Sequence, residues 1–413
     1  MRMSTNNIPG TNGSSYDGVL IFSTVLLTAI GLASIYSATY DAGASVYFHR
    51  QLIWAILGVI GMVVMLFVSP RTIETIAVIS HIAMLGVLLV VPFVGKTVAG
   101  TTAWLELGPV SFQPSEVAKI TTILVLALYL SKNNASVKSF KTLMTAGLIV
   151  AIPMGLVLMQ ADVGTTLIFF LMYIPVVYWA GASPFIVVVL VAPFVVGLAA
   201  LIGTTALLIA LGLLLIVLIL LRENGFLSAV IFGMNSAVAV SIQFFYERLA
   251  PHQQNRIANF IDPGSDPLGV GYNVIQSKVA IGSGGFTGKG FLNGTQTQLN
   301  FIPAQWTDFI FCVPGEEFGF IGASLVLLLL GIVFLRGIRI ASLVKSKFAS
   351  LVTIGFIGIL FFHTVINVGM TIGLTPVIGI PLPFLSYGGS ALFSKMIMIG
   401  MLSAFYANRK EYS

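Results

Sequence analysis

Apolar residues fill the chain in long blocks that are separated by shorter polar segments. Because a helix needs about 20 mostly apolar residues to cross a bilayer, this pattern predicts a bundle of transmembrane helices. Twelve blocks are candidates, and the pair around 184–221 is the least clearly separated, so a total of ten is the alternative. The predicted helices lie near residues 19–40, 51–69, 73–95, 115–131, 143–161, 163–181, 184–201, 203–221, 225–244, 315–335, 350–369 and 388–406.

One polar segment, residues 245–314, is much longer than the others. A membrane protein with one large polar loop usually holds its chemistry on or beneath that loop, because a rigid scaffold positions loop residues for function. The predicted organisation is an N-terminal tail (1–18), a first part of the bundle (19–244), the polar loop (245–314), a last part of the bundle (315–406) and a C-terminal tail (407–413).

The composition supports this class of fold. Of the 413 residues, 57% are hydrophobic and 8% are charged, whereas soluble proteins carry about 25% charged residues. With a mean hydropathy of +1.01, the chain is predicted to be an all-α polytopic membrane protein. The net charge of +6 does not indicate nucleic-acid binding, because the basic residues lie in short loops between apolar blocks. The single cysteine, Cys312, excludes an intrachain disulfide.

The charges of the loops predict the orientation. If the N-terminus is cytoplasmic, twelve Lys and Arg residues fall on the inner side and two or three on short outer loops, as the positive-inside rule requires. An even number of helices keeps the last basic clusters inside. Both termini are therefore predicted to be cytoplasmic, with residues 245–314 outside the cytoplasm. Residues 1–15 lack the pattern of a cleavable signal, so the first helix is expected to act as the insertion signal and to remain.

A charged pair opens the fourth predicted helix. Pro114 suits the first helical position, where no N–H is needed, and Glu116 then falls in the first turn, where the helix dipole favours an anion. Lys119 shares a helix face with Glu116, because residues three apart are neighbours. The pair is either a local ion pair at a helix start or a charged pair that faces a polar cavity. We favour the cavity, since ionisable groups near membrane depth are costly and usually functional.

Other acids on the predicted outer side allow two interpretations. Asp162 interrupts a long apolar stretch, where it either caps a tight turn or contributes to a site. Asp262 and Asp266 each precede a proline, which is typical of turns. The same two carboxylates, with Arg256 and Lys278 nearby in the loop, also have the composition of a catalytic cluster.

Several classes of site lack their motifs. Residues 282–290 are rich in glycine, but neither the P-loop spacing nor G-x-G-x-x-G is present. The alternative is a flexible loop at residues 282–290 whose backbone N–H groups bind a phosphate. The four histidines are scattered, without H-E-x-x-H or a cysteine pair, so no metal site is predicted. Residues 376–390 are rich in Pro and Gly and are either a re-entrant loop at the outer rim or a simple connector.

The ordered set of motifs resembles the shape, elongation, division and sporulation family of polytopic peptidoglycan polymerases, which includes RodA and FtsW. Each motif alone is weak, whereas the set covers nearly the whole chain and is very specific. The segment Gly294–Pro303 is more similar to RodA than to FtsW. The motifs are Gly31–Ala38, Phe112–Lys119, Asp162–Thr165, Asp266–Tyr272 with Gln276 and Ser277, Ala280–Gly285, Thr307–Phe311 with Glu316 and Glu317, and Pro381–Gly389.

The resemblance implies a lipid II glycosyltransferase that builds glycan strands at the outer face of the bacterial cytoplasmic membrane during cell elongation. It also implies a class B penicillin-binding protein, a transpeptidase, as the activating partner, together with other membrane proteins of the elongation complex. The family usually has ten spanning helices, so residues 184–244 are expected to hold about two additional ones. The family's essential acid, the Asp of D-P-x-G-x-G-Y, corresponds to Asp266.

The expected reaction replaces a lipid pyrophosphate at the anomeric carbon with a sugar hydroxyl. Asp266 is the candidate general base, and Lys119 is the first candidate to stabilise the leaving pyrophosphate. No cofactor is evident. A divalent cation, Mg²⁺ or Mn²⁺, is compatible with this chemistry, although no motif requires one. The expected substrate-binding residues are Glu116, Lys119, Asp162, Arg256, Lys278 and Ser386.

Besides the additional helices, the chain departs from the family pattern at two places, and two other functions are kept open. Ala103 precedes Trp104 where the family has Arg, and Ala304 and Trp306 replace an acid and a histidine. No histidine is therefore assigned a catalytic role. The main alternative is a lipid II flippase or other transporter, which the number of helices and the intramembrane charges favour. Its weakness is that no inverted repeat is visible. A non-catalytic scaffold that recruits the transpeptidase is the third hypothesis.

Overall fold

Long apolar helices make up most of the molecule. The computed structural model describes residues 16–40, 45–98, 100–107, 110–132, 139–221, 224–246, 248, 254, 270–299 and 301–409. The helices before the long polar loop are α1 (Gly18–Ala38), α2 (Ser45–Leu66), α3 (Pro70–Val94), α4 (Pro114–Lys132), α5 (Phe140–Leu158), α6 (Val163–Trp179), α7 (Pro184–Ile202), α8 (Thr204–Leu220) and α9 (Gly225–Tyr246). The later helices are α10 (Val270–Ser283), α11 (Thr295–Gln298), α12 (Cys312–Glu317), α13 (Gly319–Leu343), α14 (Lys347–Thr371) and α15 (Gly389–Ala407).

These helices confirm the predicted class of fold. In the described part of the chain, ten helices are long and apolar enough to cross a membrane, and α6 and α8 are shorter apolar helices. The chain is therefore an all-α polytopic membrane protein, while the total of twelve spans remains a prediction. The predicted helix 315–335 differs most, because α13 starts at Gly319 and continues past Arg336. Arg336 lies inside this helix, and its guanidinium pairs with Asp17 at 2.6 Å.

Three short strands, which the sequence analysis did not predict, lie between α3 and α4. Strands β1 (Lys96–Val98), β2 (Thr101–Leu107) and β3 (Val110–Phe112) form an antiparallel sheet in the order β1-β2-β3. The Thr102 N–H of β2 donates to the Gln160 carbonyl at 3.1 Å, so the sheet is tied to the turn between α5 and α6.

The segments predicted to be outside the cytoplasm meet at one end of the bundle. Gln298 donates to the Ser37 hydroxyl at 2.9 Å, and Gln305 donates to the Ala38 carbonyl at 2.7 Å. The part of the polar loop that contains Gln298 and Gln305 thus packs on the C-terminal end of α1. The Asp17–Arg336 ion pair joins α1 to α13 at the opposite end. We call the end that contains Ser37 the loop end.

Helices α4, α14 and α15 form the centre of the bundle. In each of them, 78% of the most apolar window is buried, against 22% in α3. Helices α7, α8 and α9 form a separate hydrophobic cluster. Phe170 on α6 and Phe194 on α7 stack at 4.6 Å between ring centroids and connect this cluster to the rest. That residues 184–244 are additional to the family pattern stays a prediction.

Gly31 illustrates how closely the central elements pack. A Cβ at this position of α1 would lie 2.6 Å from the Phe384 carbonyl oxygen and 2.7 Å from the Leu385 Cα. Since both atoms belong to the backbone, they cannot rotate away. We expect Gly31→Ala to destabilise the protein by about 1–3 kcal/mol, the usual effect of overpacking.

Thermal unfolding of the purified protein in detergent tests this expectation. Gly86→Ala in α3 is the matched control, because nothing lies within 4 Å of a Cβ added there. Equal melting temperatures for the two variants would contradict the close approach of α1 to residues 384–385.

Candidate active site

A cluster of ionisable side chains is buried between α4 and α14, near the loop end of the bundle. The Lys119 ammonium donates to Glu116 Oε1 at 2.7 Å and lies 3.2 Å from His363 Nε2. Lys119 and Glu116 have 0% and 3% of their side-chain surface exposed. The i,i+3 pair expected from the sequence is therefore formed, and it is buried inside the bundle.

His363 was not assigned a role from the sequence, yet it completes this cluster from α14. Its Nδ1 lies 3.2 Å from the Pro381 carbonyl, which only accepts hydrogen bonds. Nδ1 therefore carries the proton, and Nε2 is free to accept one from the Lys119 ammonium. This arrangement requires a neutral imidazole, so His363 orients Lys119 without adding charge.

Lys395 on α15 is the second residue that the sequence analysis missed. Its side chain is 2% exposed, and its Nζ lies 3.8 Å from Glu116 Oε2. The available signal was a single lysine inside an apolar block, since charged residues in such blocks are rare and usually functional. Glu116 thus lies between two lysines. A cation cofactor does not fit there, because both lysines would repel it.

Polar contacts connect this cluster to the loop end. The Gln113 N–H donates to the Ser390 hydroxyl at 3.2 Å, which brings the N-termini of α4 and α15 together. The Gln113 side chain donates to Asp162 at 2.9 Å. Asp162 also caps α6 by accepting from the Thr165 N–H at 2.9 Å. The turn-capping interpretation of Asp162 is therefore correct, and the same carboxylate reaches the start of α4.

The remaining sequence candidates lie in different places. Ser386 is buried, and its hydroxyl accepts from the Leu382 N–H at 2.8 Å, within the turn above His363. Lys278 on α10 is exposed, and its side chain lies against Gly373. The candidates Asp262, Asp266 and Arg256 lie outside the described residues.

A second polar cluster holds the glycine-rich segment in place. The N–H groups of Lys289 and Gly290 donate to the carbonyls of Glu316 and Glu317 at 3.1 and 2.9 Å. A Cβ at Gly288 would lie 2.1 Å from the Glu317 carbonyl oxygen. The glycines are required for this close packing. These two N–H groups are occupied, which argues against the phosphate loop considered from the sequence.

The environments of the adjacent residues Glu316 and Glu317 shift their pKa values in opposite directions. Burial tends to raise the pKa of Glu316, but hydrogen bonds from Lys289, Gln296 and Thr297 outweigh it and hold the pKa below its ordinary value. Burial raises the pKa of Glu317, which accepts from the Ser37 hydroxyl and the Leu292 N–H.

We expect Glu316→Gln to destabilise the protein by about 2–4 kcal/mol, because it breaks hydrogen bonds to a buried charge. An amide nitrogen there would face donors, since Oε1 accepts from Lys289 and Oε2 from Thr297. The matched variant Glu317→Gln should destabilise the protein less, by about 1–2 kcal/mol, because its amide nitrogen would be one buried donor without an acceptor. Glu317 Oε2 has no hydrogen-bond partner among the described atoms, and the amide oxygen can replace Oε1.

Unfolding measured against pH separates the two carboxylates. Because the pKa of Glu316 is lowered, its stabilisation is present above the ordinary value of 4.5 and is lost as the pH falls through the lowered pKa. The raised pKa of Glu317 acts in the opposite sense, so its contribution is lost as the pH rises through that pKa. Equal effects of both substitutions at neutral pH would contradict the difference in bonding.

The described residues contain no group of three or more His, Cys, Asp or Glu side chains that could hold a metal ion. Ionisable groups are instead buried near one end of a membrane bundle, beneath a turn and next to two helix N-termini. These features define a polytopic membrane protein with a buried charged site near its loop end.

Comparison with known proteins gives the family. The FTSW_RODA_SPOVE family model, described as a cell cycle protein, matches residues 18–202 and 183–411, and the chain belongs to this family. Peptidoglycan glycosyltransferase MrdB of Escherichia coli K12 is 34% identical over 96% of each chain. Peptidoglycan glycosyltransferase RodA of Treponema pallidum is 32% identical over 96% of this chain and 98% of its own.

A solved structure supports the fold. A chain from a peptidoglycan synthase complex that coordinates polymerisation and crosslinking superimposes with a TM-score of 0.74 at 27% identity. The match covers 96% of this chain and 99% of that chain. The resemblance seen in the motifs is therefore confirmed over nearly the full length.

Proposed function

We propose that this protein is a peptidoglycan glycosyltransferase that polymerises lipid II into glycan strands for cell elongation. The observation that carries the proposal is the full-length match to MrdB and RodA, both named as such enzymes. The buried lysines near the loop end support it, because the reaction must stabilise a leaving pyrophosphate. Fixed cations in a water-poor site stabilise such developing charge strongly.

In this mechanism the residues have separate roles. Lys119 binds a phosphate oxygen of the leaving group, while Glu116 and His363 orient its ammonium. Asp266 takes the proton of the attacking sugar hydroxyl as general base. Asp162, through Gln113, fixes the start of α4 and with it the position of Lys119. Arg256, Lys278 and Ser386 are further candidates for substrate contacts.

The proposed setting is the bacterial cytoplasmic membrane, with both termini in the cytoplasm and the loop end outside. A class B penicillin-binding protein is the proposed partner, together with other membrane proteins of the elongation complex. The related synthase complex, which coordinates polymerisation with crosslinking, supports a transpeptidase partner.

The test is reconstitution of the purified protein with its transpeptidase in vesicles that contain lipid II. The expected product is glycan chains, which gel electrophoresis resolves. The transpeptidase without this protein should give no chains. If lipid II moves across the bilayer but no chains form, the transporter alternative is correct. If neither occurs while the transpeptidase is still recruited, the protein is a scaffold.

A further inference from the structure

The buried cluster holds more positive than negative charge. Among the residues that the structure describes, Glu116 is the carboxylate in contact with both Lys119 and Lys395. The hydrogen bonds of His363 keep its ring neutral. Two lysines that are at most 2% exposed therefore share one carboxylate. An uncompensated charge in such a place is strongly unfavourable.

The same cluster contains polar atoms without partners. Lys395 Nζ is 3.8 Å from Glu116 Oε2, which is longer than a hydrogen bond. Glu116 Oε2 and the hydroxyl of Ser115 are buried and have no hydrogen-bond partner among the described atoms. Buried polar groups are normally satisfied, so the Lys395 ammonium and the Ser115 hydroxyl are available to donate to a further ligand, whereas Glu116 Oε2 can only accept.

The backbone around the cluster also favours an anion. Helices α4 and α15 have 19 residues each, and the hydrogen bond from the Gln113 N–H to Ser390 joins their N-termini. Each N-terminus carries the positive end of a helix dipole, which attracts phosphate groups. Two dipole ends, two lysines and one carboxylate leave a clear excess of positive potential.

We propose that Lys395 is a second cation, with Lys119, of a phosphate-binding site between the starts of α4 and α15. The ligand is a multiply charged phosphate, and the pyrophosphate of a lipid-linked sugar is the form that the site uses. The identity of the lipid rests on the proposed function, whereas the phosphate chemistry rests on the cluster itself. In the absence of the anion, Glu116 holds both ammonium groups. When the anion binds, both lysines donate to it.

Anion binding is measured as the rise in melting temperature of the full-length protein in detergent. The probes are inorganic pyrophosphate and undecaprenyl pyrophosphate. Lys395→Met should bind either probe about tenfold or more weakly, as expected for one lost charge-assisted hydrogen bond. Lys395→Arg should retain binding. Lys345→Met, an exposed lysine beyond α13, is the control and should respond like the parent.

The two probes separate the sources of the phosphate. Tighter binding of undecaprenyl pyrophosphate than of inorganic pyrophosphate supports the lipid-linked ligand. Equal binding would keep the phosphate site and overturn the assignment to a lipid. No response of the parent protein to either probe would overturn the whole proposal.

The stability of Lys395→Met without ligand tests whether Lys395 has only a structural role. Lys395→Met exchanges excess buried charge for apolar volume, so it should be at least as stable as the parent. A structural lysine would give the opposite result. Failure of Lys395→Met to fold, or an unchanged response to pyrophosphate, would therefore overturn the proposal.

Polymerisation kinetics test the phosphate site at Lys395 separately from the proposed glycosyltransferase activity. In the lipid II assay, Lys395→Met should raise KM about tenfold or more. A parent protein that binds pyrophosphate through Lys395 but makes no glycan would contradict the glycosyltransferase and leave the phosphate site established.

Discussion

Replacing Asp266 with Asn is expected to reduce glycan polymerisation by about 10²–10⁴-fold, the usual contribution of a general base. A sugar hydroxyl is a weak nucleophile until a base takes its proton. Asparagine has the shape of aspartate but cannot accept that proton. The measurement is the rate of lipid II consumption by the protein with its transpeptidase, under single-turnover conditions that separate chemistry from product release.

Asp262→Asn is the matched control for this experiment. Asp262 also precedes a proline and lies four residues earlier, but it does not belong to the D-P-x-G-x-G-Y motif. Its substitution should change the rate little. Both variants must keep the parental melting temperature and still bind the transpeptidase. A parental rate for Asp266→Asn would mean that Asp266 only forms a turn, and the base would then be sought at Asp262 or Glu116.

The sequence predicted those parts of the site that are close in the chain. Glu116 and Lys119 are three residues apart after a helix-starting proline, so their pairing follows from helix geometry. His363 on α14 and Lys395 on α15 join them from more than 200 residues away in the chain. No local pattern specifies such a contact. The one local signal at Lys395 was the cost of placing a lysine in an apolar block, and the sequence analysis did not use it.

The glycine-rich segment 282–290 is a second place where the local sequence did not predict the tertiary contacts. Its composition predicted a flexible loop, but the segment is fixed against α12 by hydrogen bonds to Glu316 and Glu317. Gly288 is needed because the backbone of α12 approaches within contact distance, which composition alone does not reveal. The long apolar helices, in contrast, follow directly from the requirement for about 20 apolar residues per span.

The charge count of the buried cluster leads to a strong prediction for stability. Glu116→Gln should destabilise the protein by about 3–5 kcal/mol, because it leaves two buried lysines without their carboxylate. Glu106→Gln is the control. It removes a carboxylate from the exposed pair with Lys96, and exposed pairs contribute about 0–1 kcal/mol. Both variants are compared by thermal unfolding in the same detergent.

Second substitutions show which lysine Glu116 stabilises more. Adding either Lys119→Met or Lys395→Met to Glu116→Gln returns the cluster to the net charge of the parent, so each double variant should be more stable than Glu116→Gln alone. The coupling to Lys119 should be the larger, because that contact is a hydrogen bond of 2.7 Å whereas Lys395 lies 3.8 Å away. Interaction energies of about 0.5–3 kcal/mol are typical of residues in contact. If the stability effects of the single substitutions simply add in the double variants, the three side chains do not form one electrostatic unit. The proposed attraction of a phosphate by excess charge would then have no basis.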